Sequence, residues 1–403
     1  MSRKHSSNMT LYAVSADKKG KIRTMRGSVD MQINRKRLLE TFKELVAIDS
    51  PSYGERQMCD ELKKRLLALG LSVEEDDTAE KSGSNCGNLI ARLPGTLDIP
   101  PVLYSCHMDT VGPALGKKAI VHEDGTITSA GDTVLGADDL SGVSSILEAL
   151  QVIREENIPH GPLEIVFTTG EEVYGKGANA FDMSKLQAKD AYVFDLTGKT
   201  GCAARKAPSI ISLRIEVKGK ASHAGFAPEK GIHAVQIASR AIAGLRFGHV
   251  DEETTANIGV INGGVATNIV PESCVVTGEV RGYNHEKALK QVDIIIEAFR
   301  REAGAAGAAI EAESEVCIKA YETELSSRAV KRFLDACEQM GVEPQIGETF
   351  GGSDLNVFAN EGVEGLVVAS AMEQCHSCKE YTTVDELCKV GQMVLTMMTQ
   401  SVA

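Results

Sequence analysis

The stretch Leu163-Glu164-Ile165-Val166-Phe167-Thr168-Thr169-Gly170-Glu171-Glu172 decides the fold class. Its mostly apolar run is too short for a helix and stops at a glycine, so it reads as a buried strand. The strand ends in a loop that carries two adjacent carboxylates. Similar short apolar runs occur at 88–92, 102–106 and 191–194, and a strong helical pattern occupies 140–155. Helical periodicity also covers 35–48 and 55–69. Strands alternating with helices predict an α/β fold: a layered αβα domain on a mixed sheet with helices on both faces.

From about Pro208 the pattern changes. Strands are predicted at 210–218, 256–261, 274–281 and 308–318, with helices at 232–245 and 285–303. The order strand-helix-strand-strand-helix-strand is the split βαβ arrangement of a small α+β, ferredoxin-like domain. A helix at 326–339, a strand at 366–370 and a helix at 384–399 then resume the first pattern. The expected organisation is therefore an extension over 1–33, a discontinuous domain over 34–207 and 320–403, and an insertion over 208–319.

Composition narrows the function. The 403 residues carry a formal net charge of −13, which argues against nucleic acid or an anionic membrane as partner, since both need clustered Lys and Arg. The longest apolar runs are strand-sized, far below the roughly 20 residues a bilayer span needs. Ten scattered cysteines form no disulfide framework and suit a reducing compartment, so a cytoplasmic location is expected. The first 33 residues are polar and basic, without the apolar stretch of a signal peptide, and read as a flexible extension.

Metal-type ligands recur where strands end. His107 follows 102–106, Glu171 and Glu172 follow 163–169, Asp195 follows 191–194, His376 lies just past 366–370, and Asp138 opens the helix at Leu140. Each has an ordinary explanation: a satisfied structural His, an N-capping Asp, a solvated pair of acids. Together they converge, because ligand sites of open α/β sheets form outside the carboxyl ends of the strands. Asp109, two residues beyond His107 in an extended segment, is placed to accept the second ring N–H of His107. A His and carboxylate set without thiolates suits zinc, with manganese or cobalt as substitutes. Cys375 and Cys378 flank His376 but lack a second cysteine pair, so they read as ordinary thiols.

In this order, His107-Met108-Asp109-Thr110-Val111, Gly136-Ala137-Asp138-Asp139, Gly170-Glu171-Glu172, Asp195, Ser222-His223-Ala224-Gly225 and His376 resemble the motifs of the di-zinc exopeptidase and deacylase family of peptidase T, carboxypeptidases and aminoacylases. The resemblance runs from about residue 36 to the end. Phe350-Gly351-Gly352-Ser353-Asp354 and His376-Ser377 with Glu380-Tyr381 bring it nearest to the peptidase T-like, tripeptidase-like members.

That resemblance implies two zinc ions per subunit. His107, Asp138 and Asp195 would hold one, and Asp138, Glu172 and His376 the other, with Asp138 bridging. Glu171 would be the general acid/base acting on a water between the ions, Asp109 would orient His107, and the Asp138-Asp139 peptide would be cis. His223 would stabilise the oxyanion, while Asn268, Arg281, Gly351 and Gly352 would hold the substrate. The insertion would be a lid and dimerisation domain, giving a homodimer.

The implied activity is hydrolysis of short peptides, of aminotripeptidase type. Deacylation of N-acyl amino acids and carboxypeptidase action are alternatives on the same scaffold. A catalytically silent binding protein is a further one, opposed by the intact ligand set.

Overall fold

The computed structural model describes residues 9–12 and 32–400. The chain divides into two compact units. The first comprises residues up to Lys206, Glu322–Thr349 and Ser353 onward; the second comprises Ala207–Tyr321 and Phe350–Gly352. The N-terminal segment expected to be flexible lies outside the described residues, apart from Met9–Tyr12, Gln32 and Ile33. Residues Met9–Tyr12 pair antiparallel with Gln345–Thr349, a main-chain ladder that charge and hydropathy do not announce.

The first unit is built on a ten-stranded mixed sheet. At its centre lie four parallel neighbours, in the order Glu364–Met372, Asp190–Thr197, Val102–His107 and Leu163–Thr168. Their near-continuous apolar sequence follows from burial on both faces. Tyr104, Cys106, Tyr192 and Phe194 join the large core with the helices Arg35–Val46, Ala137–Glu156 and Val384–Met398. Leu103, Ala191, Val193 and Val367 alternate with them along the strands and are buried on the opposite face.

The helix Ala137–Glu156 is buried along most of its length. Its backbone passes within reach of the sheet at Gly142, where a Cβ would lie 2.6 Å from Cys106 Sγ and 2.9 Å from Phe194 Cβ. Helical dihedrals begin only after Asp138 and Asp139, so those two carboxylates lie on the approach to the helix.

The second unit is a five-stranded antiparallel sheet. Thr254–Gly263, Ser273–Gly282, Ser209–Lys218 and Ala309–Ile318 lie side by side in that order, extended by the short Gly248–His249. Helices Ala234–Ala243 and His285–Ala305 cover one face through Ile211, Leu213, Ile215, Val276 and Val280. This is the ferredoxin-like order expected of the insertion. Among the described residues no helix is long and apolar enough to cross a membrane.

Candidate active site

The four parallel strands bring their carboxyl ends to one edge, and the acidic and His residues lie there. His107 closes its strand beside Thr168, and Asp195 lies near the end of Asp190–Thr197. Beyond Leu163–Thr168 the chain turns at Gly170, whose φ of +59° suits glycine, and presents Glu171 and Glu172. His376 follows Glu364–Met372.

Asp138 stands between two imidazoles. Its Oδ1 lies 3.1 Å from His107 Nε2 and its Oδ2 lies 3.2 Å from His376 Nε2. Glu172 Oε2 is 3.0 Å from the same His376 nitrogen. Single ligand atoms of His107, Asp138 and Glu172 fall within 4.8 Å of one another, and those of His107, Glu171 and Asp195 do the same. The peptide between Asp138 and Asp139 is cis.

Asp109 serves a wider purpose than the one expected of it. His107 Nδ1 is 2.9 Å from the backbone carbonyl of Asp109 and 3.5 Å from its carboxylate, so the main chain is the nearer acceptor. The carboxylate instead receives Ser52 Oγ at 2.7 Å and the backbone N–H groups of Glu171 and Glu172 at 3.0 and 3.2 Å. One buried side chain thus fixes the turn that carries both glutamates.

Three further acids hold the frame, and sequence reasoning gave none of them a role. Glu380 accepts the backbone N–H of Gly136 at 2.7 Å and of Asp138 at 2.9 Å. Glu55 accepts Gly170 N–H at 3.0 Å. Asp354 accepts the Thr168 hydroxyl. Nearby, the buried Lys117 ammonium donates to Thr110 Oγ1 at 2.9 Å.

Crowding shifts the acids. Burial, reinforced by Glu172, Asp354 and Asp109, holds Glu171 well above the usual carboxylate range. Burial likewise raises Asp195, beside Glu171 and Asp138. It lifts Glu380 to about 7 and Asp354 to about 6. Hydrogen bonds to Asp138 and Glu172 raise His376 to about 10. Burial opposes charge on His107, but its bonds to Asp109 and Asp138 outweigh that and push it well above its ordinary value. Burial pushes Lys117 down to about 8.

Divalent cations fit this donor set. Glu172 Oε1 is buried without a hydrogen-bond partner among the described residues, and the buried carboxylates gathered around it call for a compensating charge. The donors are imidazoles and carboxylates, as zinc or manganese favours. Cys375 beside them has its thiol pushed up by burial, away from a thiolate ligand, and none of the ten cysteines forms a disulfide.

The residues expected to hold substrate lie in the second unit. His223 is exposed, and its Nδ1 accepts the backbone N–H groups of Gly225 and Phe226, each at 3.1 Å. Asn268 packs its backbone against the same turn, its carbonyl accepting Ala224 N–H at 3.0 Å. Arg281 is engaged by Glu279 at 2.7 Å and by the Phe350 carbonyl at 2.9 Å. Gly352 departs from expectation. The place of its missing Cβ is taken by Ile318 Cδ1 at 2.1 Å and Ile210 Cδ1 at 3.1 Å, so this glycine serves packing within the unit rather than approach of a ligand. Gly351 sits beside it in the same short segment.

Comparison with known proteins agrees with this geometry. Residues 206–308 match the model of the M20 peptidase dimerisation domain, and residues 88–241 match that of peptidase family M28. The uncharacterized protein YqjE of Bacillus subtilis (strain 168) is 40% identical over 369 residues, 92% of this chain and 99% of that one. The crystal structure of aminopeptidase PepT from Bacillus cereus ATCC 10987 superposes with a TM-score of 0.83 at 39% identity, over 91% of this chain and 98% of its own. A tripeptidase from Staphylococcus aureus subsp. aureus Mu50 gives a TM-score of 0.88 at 34% identity, with the same coverage of 91% and 98%.

Proposed function

Since the chain belongs to the peptidase T type of the M20 metallopeptidases, hydrolases of peptide bonds, we propose that it removes the N-terminal residue from short peptides, tripeptides foremost. The observation that carries this reading is Asp138, which turns one carboxylate oxygen to each of two imidazoles. That placement suits a carboxylate shared by two cations. His107, Asp138 and Asp195 would hold one ion, and Asp138, Glu172 and His376 the other, with zinc as the preferred metal and manganese or cobalt as substitutes. The ions would supply Lewis acidity toward a peptide carbonyl and toward water.

The remaining work falls to this chain's own residues. Glu171, raised by burial among other acids, accepts a proton from the attacking water and returns it to the departing amine. Asp109 keeps Glu171 and Glu172 in register through their backbone N–H groups and holds the His107 ring through its own carbonyl. His223 donates to the developing oxyanion. Its Nδ1 accepts two N–H groups, so the ring proton sits on Nε2, the atom such a donor needs. Arg281 pairs with the terminal carboxylate of the peptide, and Asn268 and Gly351 complete the substrate contacts.

The dimerisation-domain match over 206–308 supports a homodimer, and ten cysteines without a disulfide among them support a reducing, cytoplasmic setting. Product analysis on matched di-, tri- and N-acylated tripeptides, with zinc and manganese compared, tests the reading. Release of the first residue from free tripeptides is expected; turnover of only the blocked peptides would replace it with deacylation.

A further inference from the structure

Phe226 follows Ser222-His223-Ala224-Gly225, outside every residue assigned so far. Its ring stacks on the His223 imidazole, with centroids 4.2 Å apart and planes inclined by 23°. Its backbone N–H is one of the two that occupy His223 Nδ1. The same turn thus fixes the tautomer of His223 and lays a phenyl face alongside it. Yet Phe226 is 87% exposed. Ile269, 36% exposed, bridges antiparallel to His223 and sets a second apolar side chain near the imidazole.

We propose that Phe226 determines specificity by receiving an apolar side chain on the substrate residue whose carbonyl is cleaved. The inference rests on the peptidase reading and on His223 as oxyanion donor. A carbonyl oxygen that accepts from Nε2 lies about 2.9 Å from it. The Cβ of that same residue is two bonds beyond the carbonyl carbon, which brings its side chain within reach of a ring stacked at 4.2 Å. The residue beyond the scissile bond is separated by the amide nitrogen and one further bond. In N-terminal cleavage the selected residue is therefore the first of the peptide. An apolar first residue covers the phenyl face and gains transition-state binding; glycine leaves it wet.

The test uses the full-length, metal-loaded chain and compares kcat/KM for Leu-Gly-Gly, Gly-Leu-Gly and Gly-Gly-Gly in wild type, Phe226→Ala and Phe226→Leu. The wild type should favour Leu-Gly-Gly over Gly-Gly-Gly by about tenfold or more, the range of a good apolar contact. In Phe226→Ala this ratio should fall toward unity, and Phe226→Leu should keep most of it. An unchanged ratio in Phe226→Ala, or a loss confined to Gly-Leu-Gly, overturns the inference. So does an equal fall on all three peptides with a shift from dimer to monomer in sedimentation, which would place Phe226 in a subunit contact. A wild-type chain that cleaves none of the three removes the peptidase reading, and this inference with it.

Discussion

Asp109 Oδ1 lies 3.0 Å from the backbone nitrogen of Glu171, and Asp109 Oδ2 lies 3.2 Å from that of Glu172. Residues 109 and 171 come from the ends of neighbouring strands, so this carboxylate ties the His107 segment to the glutamate turn. Asp109→Ala should lower kcat by about 10- to 100-fold and weaken metal binding by a similar factor, as loss of an orienting partner does. Steady-state kinetics with metal titration checks both. Unchanged metal affinity would reduce Asp109 to a packing residue.

Glu171 is assigned to proton transfer, and Glu172 to metal. Glu171→Gln keeps the shape and removes the base, so kcat should fall by about 100- to 10,000-fold while metal content holds. Elemental analysis beside the peptide assay checks this. Near-native turnover would sink the assignment.

Glu380 accepts two backbone N–H groups, at Gly136 and Asp138. Glu380→Ala leaves both buried donors unpaired, a loss of about 1–3 kcal/mol each. The variant should melt several degrees lower and require more metal for half-maximal activity. Differential scanning fluorimetry measures the first effect and zinc titration of the peptide assay the second; an unaltered metal requirement would confine Glu380 to stability.

Metal removal should expose a pH dependence. Without metal, His376 is raised to about 10 by Asp138 and Glu172, above the ordinary value near 6.5. A raised folded pKa gives stability that is fully present below about 6.5 and lost as pH rises toward 10. Melting temperature of the chelated protein should therefore fall across that window more steeply than that of the metal-loaded protein. Comparing the two states cancels groups such as Lys117, which is pushed down to about 8 by burial and acts in the opposite sense. Parallel slopes would contradict the assignment of His376 as a ligand.

The legible part of the fold was its interior. Leu163–Thr168 is read from sequence to within a residue because a strand covered on both faces is nearly all apolar and ends at a glycine turn. Cys202–Ala207 and Gln345–Thr349 escaped notice because they mix polar and small residues and pair with partners far away in sequence. The site divides the same way. His107, Asp138, Glu172, Asp195 and His376 could be picked out because each lies at an end of a recognisable element. Glu55 and the roles of Glu380 and Asp354 could not. They bond to the main chain or to a hydroxyl of remote segments, at Gly170, Asp138 and Thr168, and such contacts leave no spacing in the sequence.

Phe350–Gly352 packs with the second unit although the residues on either side belong to the first. The Phe350 ring meets those of His249 and Tyr283, and its carbonyl holds Arg281. A gene fragment spanning only 207–321 would thus express the smaller body without a piece of its own interior. It would leave Arg281 short of an acceptor and a hole where Gly352 meets Ile318 and Ile210. Recombinant dissection of this protein has to graft the tripeptide back, since the boundary between its two bodies is not a single cut in the chain.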